Sequence, residues 1–120
     1  MLYGLSASTG YHLYAKPSDM RKGFNALSGI VRNELDRNPL SGEVFLFLNR
    51  RRTHIKLLVW DSTGYVIYYK RLEAGTFELP PISPDENSIS LTRDKLMLIL
   101  EGIELKSVKK RKRFLQHFPA

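Results

Sequence analysis

The 120 residues include no cysteine. That absence excludes a disulfide scaffold, a thiol nucleophile and any zinc ribbon or finger built on Cys ligands. Long apolar runs are missing too, because the densest, residues 96–100, is five residues long where a bilayer span needs roughly 20. Residues 1–16 mix Leu2, Tyr3 and Leu5 with Ser6, Ser8, Thr9 and Gly10 and do not form the apolar core of a signal peptide. The expectation is a soluble, cytoplasmic protein with no membrane partner. Neither phosphate-cradling pattern, G-x-x-x-x-G-K-[ST] or G-x-G-x-x-G, occurs, and there is no G-x-S-x-G elbow for a serine nucleophile. His12, His54 and His117 share no metal-ligand spacing. No cofactor and no metal is expected.

What the chain does have is positive charge. Nineteen Lys plus Arg against twelve Asp plus Glu give a net +7 and a pI near 9.8, which favours polyanionic partners. The charge is unevenly placed: residues 1–105 are nearly balanced at +1, and the last fifteen residues carry +6. Those six are Lys106, Lys109, Lys110, Arg111, Lys112 and Arg113, with no acid among them. The division predicts one folded domain, residues 1–105, followed by a basic tail, 106–120. Two readings of the tail stand side by side: a solvated terminal run, or an arm for nucleic acid.

Residues 11–15 read as a short strand ended by Lys16 and Pro17. The period then changes, with Phe24, Leu27, Val31 and Leu35 at helical spacing, Ser18 as N-cap and Asp19 at the positive end of the dipole, which predicts a helix over 19–35. Gly23 and Gly29 weaken that helix. After the Asn38, Pro39, Ser41, Gly42 break, residues 44–48 are continuously apolar, as a strand covered on both faces would be. Residues 55–60 and 65–72 are β-branched and aromatic. Short connectors make the three an antiparallel meander, the first connector being a basic tip of Arg50, Arg51 and Arg52. Residues 73–86 read as loop, with a short edge strand over 76–79 as an option, and 88–91 as a further strand. Thr92 then caps a helix carrying Leu96, Ile99, Leu100 and Ile103, and Gly102 is placed to end it, with Leu105 packing back.

The second connector, residues 61–64, sets a register. A type I turn with Gly64 in the left-handed bulge position places Asp61 opposite Tyr65, and so Trp60 opposite Val66, Leu58 opposite Tyr68 and Lys56 opposite Lys70. The other side, pairing Val59 with Ile67, Leu57 with Tyr69 and Ile55 with Arg71, reads as the core face. Two facing lysines need an acid or a bound anion between them, and beside Trp60 and Tyr68 they suit phosphate contact with base stacking. The alternative is that the aromatics are covered and the lysines reach solvent at the rim. A two-metal nuclease would need Asp19, Asp61 and Glu101 to converge. Each also has a plain role, as first-turn helix acid, turn residue and last-turn helix acid respectively. Glu104-Leu105-Lys106 matches part of a nuclease E-x-K motif but follows a helix.

Many segments occur together in one order. They are Pro17-Ser18-Asp19-Met20-Arg21-Lys22-Gly23-Phe24, Ser41-Gly42 before Phe45 and Phe47, the Arg50-Arg51-Arg52 tip, Ile55-Lys56-Leu57-Leu58 and Trp60-Asp61. Gly64, Tyr69-Lys70-Arg71-Leu72-Glu73, Gly75, Phe77, Pro80, Leu91-Thr92, Leu96 and Leu100-Glu101-Gly102-Ile103 continue the series. In this the chain resembles the TnpB accessory protein, the second-reading-frame product, of the bacterial insertion sequence family numbered sixty-six, from about Tyr11 to Ile103. The resemblance implies a product needed for transposition, acting beside a separate, larger transposase that carries the catalytic acids. Asp19, Arg21, Lys22, Gly23, Trp60, Asp61 and Glu73 match motif positions without assigned roles. Ala74, Thr76 and Glu78-Leu79 depart from the pattern, which weakens any DNA contact by that loop.

The sequence thus predicts an α+β domain with a twisted antiparallel sheet of four to six strands, open or partly closed into a barrel, and two helices. The expected function is a non-catalytic, nucleoid-associated accessory factor that binds insertion-sequence ends with low specificity, or the transposase, or both. Phosphate contacts are assigned to Arg50, Arg51, Arg52, Lys56, Lys70, Arg71 and the six basic tail residues. A protein adaptor without DNA binding, or a metal-dependent nuclease, is the alternative.

Overall fold

In the computed structural model of the chain, the described residues are 9–102. Five strands form one open sheet: β1 (Tyr11–Tyr14), β2 (Val44–Leu48), β3 (His54–Trp60), β4 (Tyr65–Arg71) and β5 (Ser88–Leu91). Their spatial order is β4-β3-β2-β1-β5, so β4 and β5 are the edges. Helix α1 (Phe24–Asn33) connects β1 to β2, and α2 (Arg93–Glu101) follows β5. The architecture is α+β. Its sheet is mixed, not wholly antiparallel as expected, because β1 and β2 pair in parallel. A helix between two neighbouring strands returns the chain to the end where it began, and that crossover requires a parallel pair. The other three pairings are antiparallel.

Strand β2 is apolar at every position because it lies in the middle of a sheet covered on both sides. Val44, Leu46 and Leu48 point to one face, where Tyr11, Leu13, Ile55, Leu57, Phe77, Leu91, Leu96 and Ile99 complete a buried cluster under α2 and the 72–82 segment. Phe45 and Phe47 point to the other, where they meet Leu58, Tyr14 and the α1 residues Leu27 and Val31. Residues 76–79 make no strand, yet Phe77 is fully buried and its N–H donates to the Arg52 carbonyl at 2.7 Å.

The second helix forms as the sequence predicts. The Thr92 hydroxyl accepts from the Lys95 N–H at 3.2 Å, and Gly102 ends the helix in the left-handed region at φ 76°. The expected packing of Ile103 and Leu105 lies outside the described residues.

The first helix is shorter than its pattern. It starts at Phe24 with Gly23 as N-cap and no side-chain cap, so Ser18 and Asp19 belong to no helix. Asp19 instead closes a local turn: its carboxylate accepts from the Arg21 N–H at 2.8 Å and chelates the Arg21 guanidinium at 2.7–3.1 Å. A short acidic side chain that bonds the backbone two residues on competes with helix, and here it wins. Phe24 accordingly lies half exposed and stacks on Tyr65, with ring centroids 6.4 Å apart.

The β3–β4 register also differs from the expected one by a single residue. Trp60 pairs with Tyr65, Leu58 with Ile67, Leu57 with Tyr68, Lys56 with Tyr69 and Ile55 with Lys70. The cause is the connector. Ser62, not Gly64, takes the positive φ, at 82°, and the Asp61 N–H donates to the Gly64 carbonyl at 3.0 Å. The Asp61 carboxylate stabilises the turn by accepting from the Thr63 and Gly64 N–H groups. A slip of one residue exchanges faces. Tyr68 therefore packs against the α2-side cluster, and Lys56 and Lys70 stand on opposite sides of the sheet.

Candidate nucleic-acid interface

The β2–β3 hairpin builds the basic tip around one amide. Asn49 Oδ1 accepts from the N–H of Thr53 at 2.9 Å and of His54 at 3.0 Å, and its Nδ2 donates to Thr53 Oγ1 at 3.0 Å. Arg52 reverses the chain with φ 58° while its N–H returns to the Asn49 carbonyl. With Arg52 also bound through its carbonyl to Phe77, the tip is tied to the body at both sides. Arg50, Arg51 and Arg52 are all exposed. The pairing of β3 with β4 places Arg71 opposite His54 and Tyr69 opposite Lys56, next to the tip. Arg71 meets Glu73 at 2.9 Å with both side chains more than half exposed, so water and salt screen that pair.

The two sheet lysines do not join this surface. Lys56 is buried, and its ammonium donates to the Met20 carbonyl at 2.6 Å and the Lys22 carbonyl at 2.9 Å. It also lies 4.8 Å from the centre of the Tyr69 ring, within the range of a cation–π contact. On the opposite face Lys70 donates to the Leu100 carbonyl at 2.6 Å, satisfying one of the orphan acceptors at the C-terminal end of α2. The expected pair of facing lysines is corrected: each ammonium is spent on fastening a covering segment to the sheet. Arg21 and Lys22 flank the carbonyls that hold Lys56 and are themselves exposed. Lys106, Lys109, Lys110, Arg111, Lys112 and Arg113 lie outside the described residues, as do Glu104 and His117.

Trp60 sits at the other end of the same face, edge-on to Tyr65 at 5.2 Å. Asp61 is engaged in its turn, Gly23 caps α1, and Asp19 is chelated by Arg21. Among the described residues no three His, Asp or Glu side chains converge to hold a metal ion. The convergence of Asp19, Asp61 and Glu101 that a two-metal nuclease would need is therefore not found.

Sequence reasoning passed over one polar constellation. His12 is buried in β1, stacked on Phe45 at 5.6 Å, and its Nε2 lies 2.8 Å from Glu43 Oε2. Arg37 Nε and Ser90 Oγ each approach Nδ1 at 3.4 Å, and Ser41 donates to Glu43 at 3.2 Å. Burial pushes the Glu43 carboxyl up, but His12, Arg37 and Ser41 together outweigh it and hold it below the usual carboxylate range. A Cβ on Gly10 would come 2.5 Å from Glu43 Oε2, which marks that glycine as a close-approach position. Nothing in the sequence spacing of residues 12, 37, 43 and 90 reveals the cluster, because pairing of β1 with β5 and the α1 crossover assemble it. Nearby, Tyr14 donates to Glu34 at 2.7 Å; burial and then that carboxylate push its hydroxyl up to about 12.

The model of the IS66 Orf2-like proteins, TnpB_IS66, matches residues 9–110. The chain belongs to the IS66 Orf2-like family. Among its relatives are two proteins of Sinorhizobium fredii (strain NBRC 101917 / NGR234). The uncharacterized protein y4jC is 28% identical over 96 residues, covering 80% of each chain. The uncharacterized protein y4hO is 34% identical over 87 residues, covering 72% of this chain and 74% of its own. No solved structure matches the chain. Membership in the IS66 Orf2-like family makes this an insertion-sequence-associated protein. No helix among the described residues is long and apolar enough to cross a membrane.

Proposed function

We propose that the chain is a non-catalytic accessory factor of insertion-sequence transposition that binds DNA, chiefly through phosphates. The observation that carries this reading is the hairpin tip, where three consecutive exposed arginines are held on a backbone pinned by Asn49 and Phe77. A fixed tip loses little conformational freedom on binding, and guanidinium groups suit phosphate geometry. Arg71 extends the contact along β4, and the basic residues from Lys106 to Arg113 add sequence-independent attraction. No base-edge readout is part of the proposal, so affinity should depend strongly on salt and weakly on sequence.

The test is a titration of the full chain with duplex at several salt concentrations. Replacing Arg50, Arg51 and Arg52 by Ala should flatten the log K against log salt slope by about 0.9 for each phosphate that is no longer neutralised. Deleting residues 106–120 should flatten it further. An unchanged slope in both variants would refute the reading.

A second reading, a protein adaptor on the transposase, draws on a groove of about 540 Å³ between the 78–84 loop and Ala15 and Lys16, walled by Pro80, Pro81 and Pro84 with Arg52 at its rim. Co-purification with the transposase in the presence of nuclease separates it from bridging by DNA.

A further inference from the structure

We infer that Tyr69 is a stacking platform for one unpaired base, so that the protein prefers single-stranded over duplex DNA. This inference rests on the DNA-binding reading and adds a substrate class to it. Tyr69 is 52% exposed on the edge strand β4, an unusual place to leave a large ring when Tyr65 and Ile67 on the same face pack against the α1-side cluster. Its position is fixed from beneath: the Lys56 ammonium, itself held by two carbonyls, lies 4.8 Å from the ring centre. His54 stands beside it, ring centroids 5.9 Å apart and tilted by 42°.

His54, Tyr69 and Arg71 together line a shallow recess of about 200 Å³, a size for one planar group. Arg71 offers a guanidinium at its edge, and the Arg50, Arg51, Arg52 tip lies next along the sheet. A rigid exposed aromatic with cations on its rim is what base stacking with simultaneous backbone contact requires. Bases inside a duplex are already stacked on their neighbours and cannot use the ring. An acidic peptide without aromatic residues would use the arginines but has no ring to stack on Tyr69.

The experiment compares a 20-nucleotide oligothymidine with a duplex of equal phosphate count, by fluorescence anisotropy, for the full chain, Tyr69→Ala and Tyr69→Trp. The expected result is tighter binding of the single strand by the unmodified chain. Tyr69→Ala should weaken single-strand binding by about tenfold, the effect of losing one stack, with duplex binding unchanged. Tyr69→Trp should keep the single-strand preference. The inference is overturned if Tyr69→Ala weakens both ligands equally or neither, or if the unmodified chain binds them alike. Should the unmodified chain bind neither DNA, the reading as a DNA-binding factor falls with it. Displacement of the single strand by polyglutamate with the same Tyr69 dependence would also overturn the base-stacking assignment. Because Tyr69 lies half in solvent, both variants retain the core, and circular dichroism checks that they do.

Discussion

The two faces of the sheet solve one problem in different ways. Each must hold a segment without regular structure against the strands. On the α2 side the anchor is apolar: Phe77, fully buried, plugs the 72–87 segment into a cluster of aliphatic and aromatic residues. On the α1 side the anchor is a charge, with Lys56 reaching under the 17–23 segment to hold the carbonyls of Met20 and Lys22. The apolar anchor gains stability from area removed from water. A lysine anchor gains less, since its ammonium must be desolvated, but its charge sits directly beneath Tyr69. The α1 face thus buries a charge where the α2 face buries a ring, and the basic tip meets both, through the Arg52 carbonyl on Phe77 and through Tyr69 and Arg71 beside it.

The largest effect is expected where a buried ring does most of the holding. Phe77→Ala should cost about 3–5 kcal/mol of stability in urea unfolding, and without that plug the Arg52 carbonyl should come free and the tip should loosen. A cost below about 1 kcal/mol would show that the 72–87 segment collapses onto the cluster without it, and the two faces would no longer differ in kind.

Lys56→Met comes next. Methionine keeps most of the stem's packing while removing the donor, so the expected cost of about 1–3 kcal/mol measures two carbonyls left without their partner. Lys70→Met on the opposite face should cost less, about 0.5–1 kcal/mol, because the Leu100 carbonyl lies at a helix end and its side chain partner is only partly buried. If the two substitutions cost the same, the two lysines are equivalent struts and the α1 face has no special anchor.

How far these features were legible follows from their range along the chain. The continuous apolar run of residues 44–48 announced a strand covered on both faces, and Thr92 and Gly102 announced the ends of α2, because each signal is local and agrees with its surroundings. The register of β3 on β4 was not legible, since it depended on whether Ser62 or Gly64 would take the left-handed conformation, and glycine is the ordinary choice. Asp61 reversed that choice by hydrogen bonds from the turn's N–H groups to its carboxylate. The start of α1 failed for the same physical reason, with Asp19 bonding its own turn instead of a helix. The exposed arginines of the tip were visible as a triplet between two strands. The setting of Tyr69 was not, because it exists only once the true register puts Lys56 opposite it. Likewise the His12 cluster brings together residues from β1, β5 and the segments flanking the α1 crossover, and no pattern along the chain links them.

Asp19 provides the smallest and most specific test of the α1-side anchor. The Arg21 guanidinium and then the Arg21 N–H, bonded to the carboxylate, hold its carboxyl down to about 2 from 3.8, and the same contact raises the Arg21 guanidinium further above its ordinary value. Because the folded value is the lower one, the stabilisation is complete above about 4 and disappears as the pH falls through about 2. A carbon-detected NMR titration should find the Asp19 midpoint near 2, and added salt should raise it, since Arg21 is almost fully in solvent. Asp19→Asn should make stability less dependent on pH across that window. A midpoint near 3.8 would mean the chelate does not organise the 17–23 turn, leaving Lys56 as the anchor that acts without help. The cost of Lys56→Met would then be expected at the top of its range, and the separation between the two faces would widen.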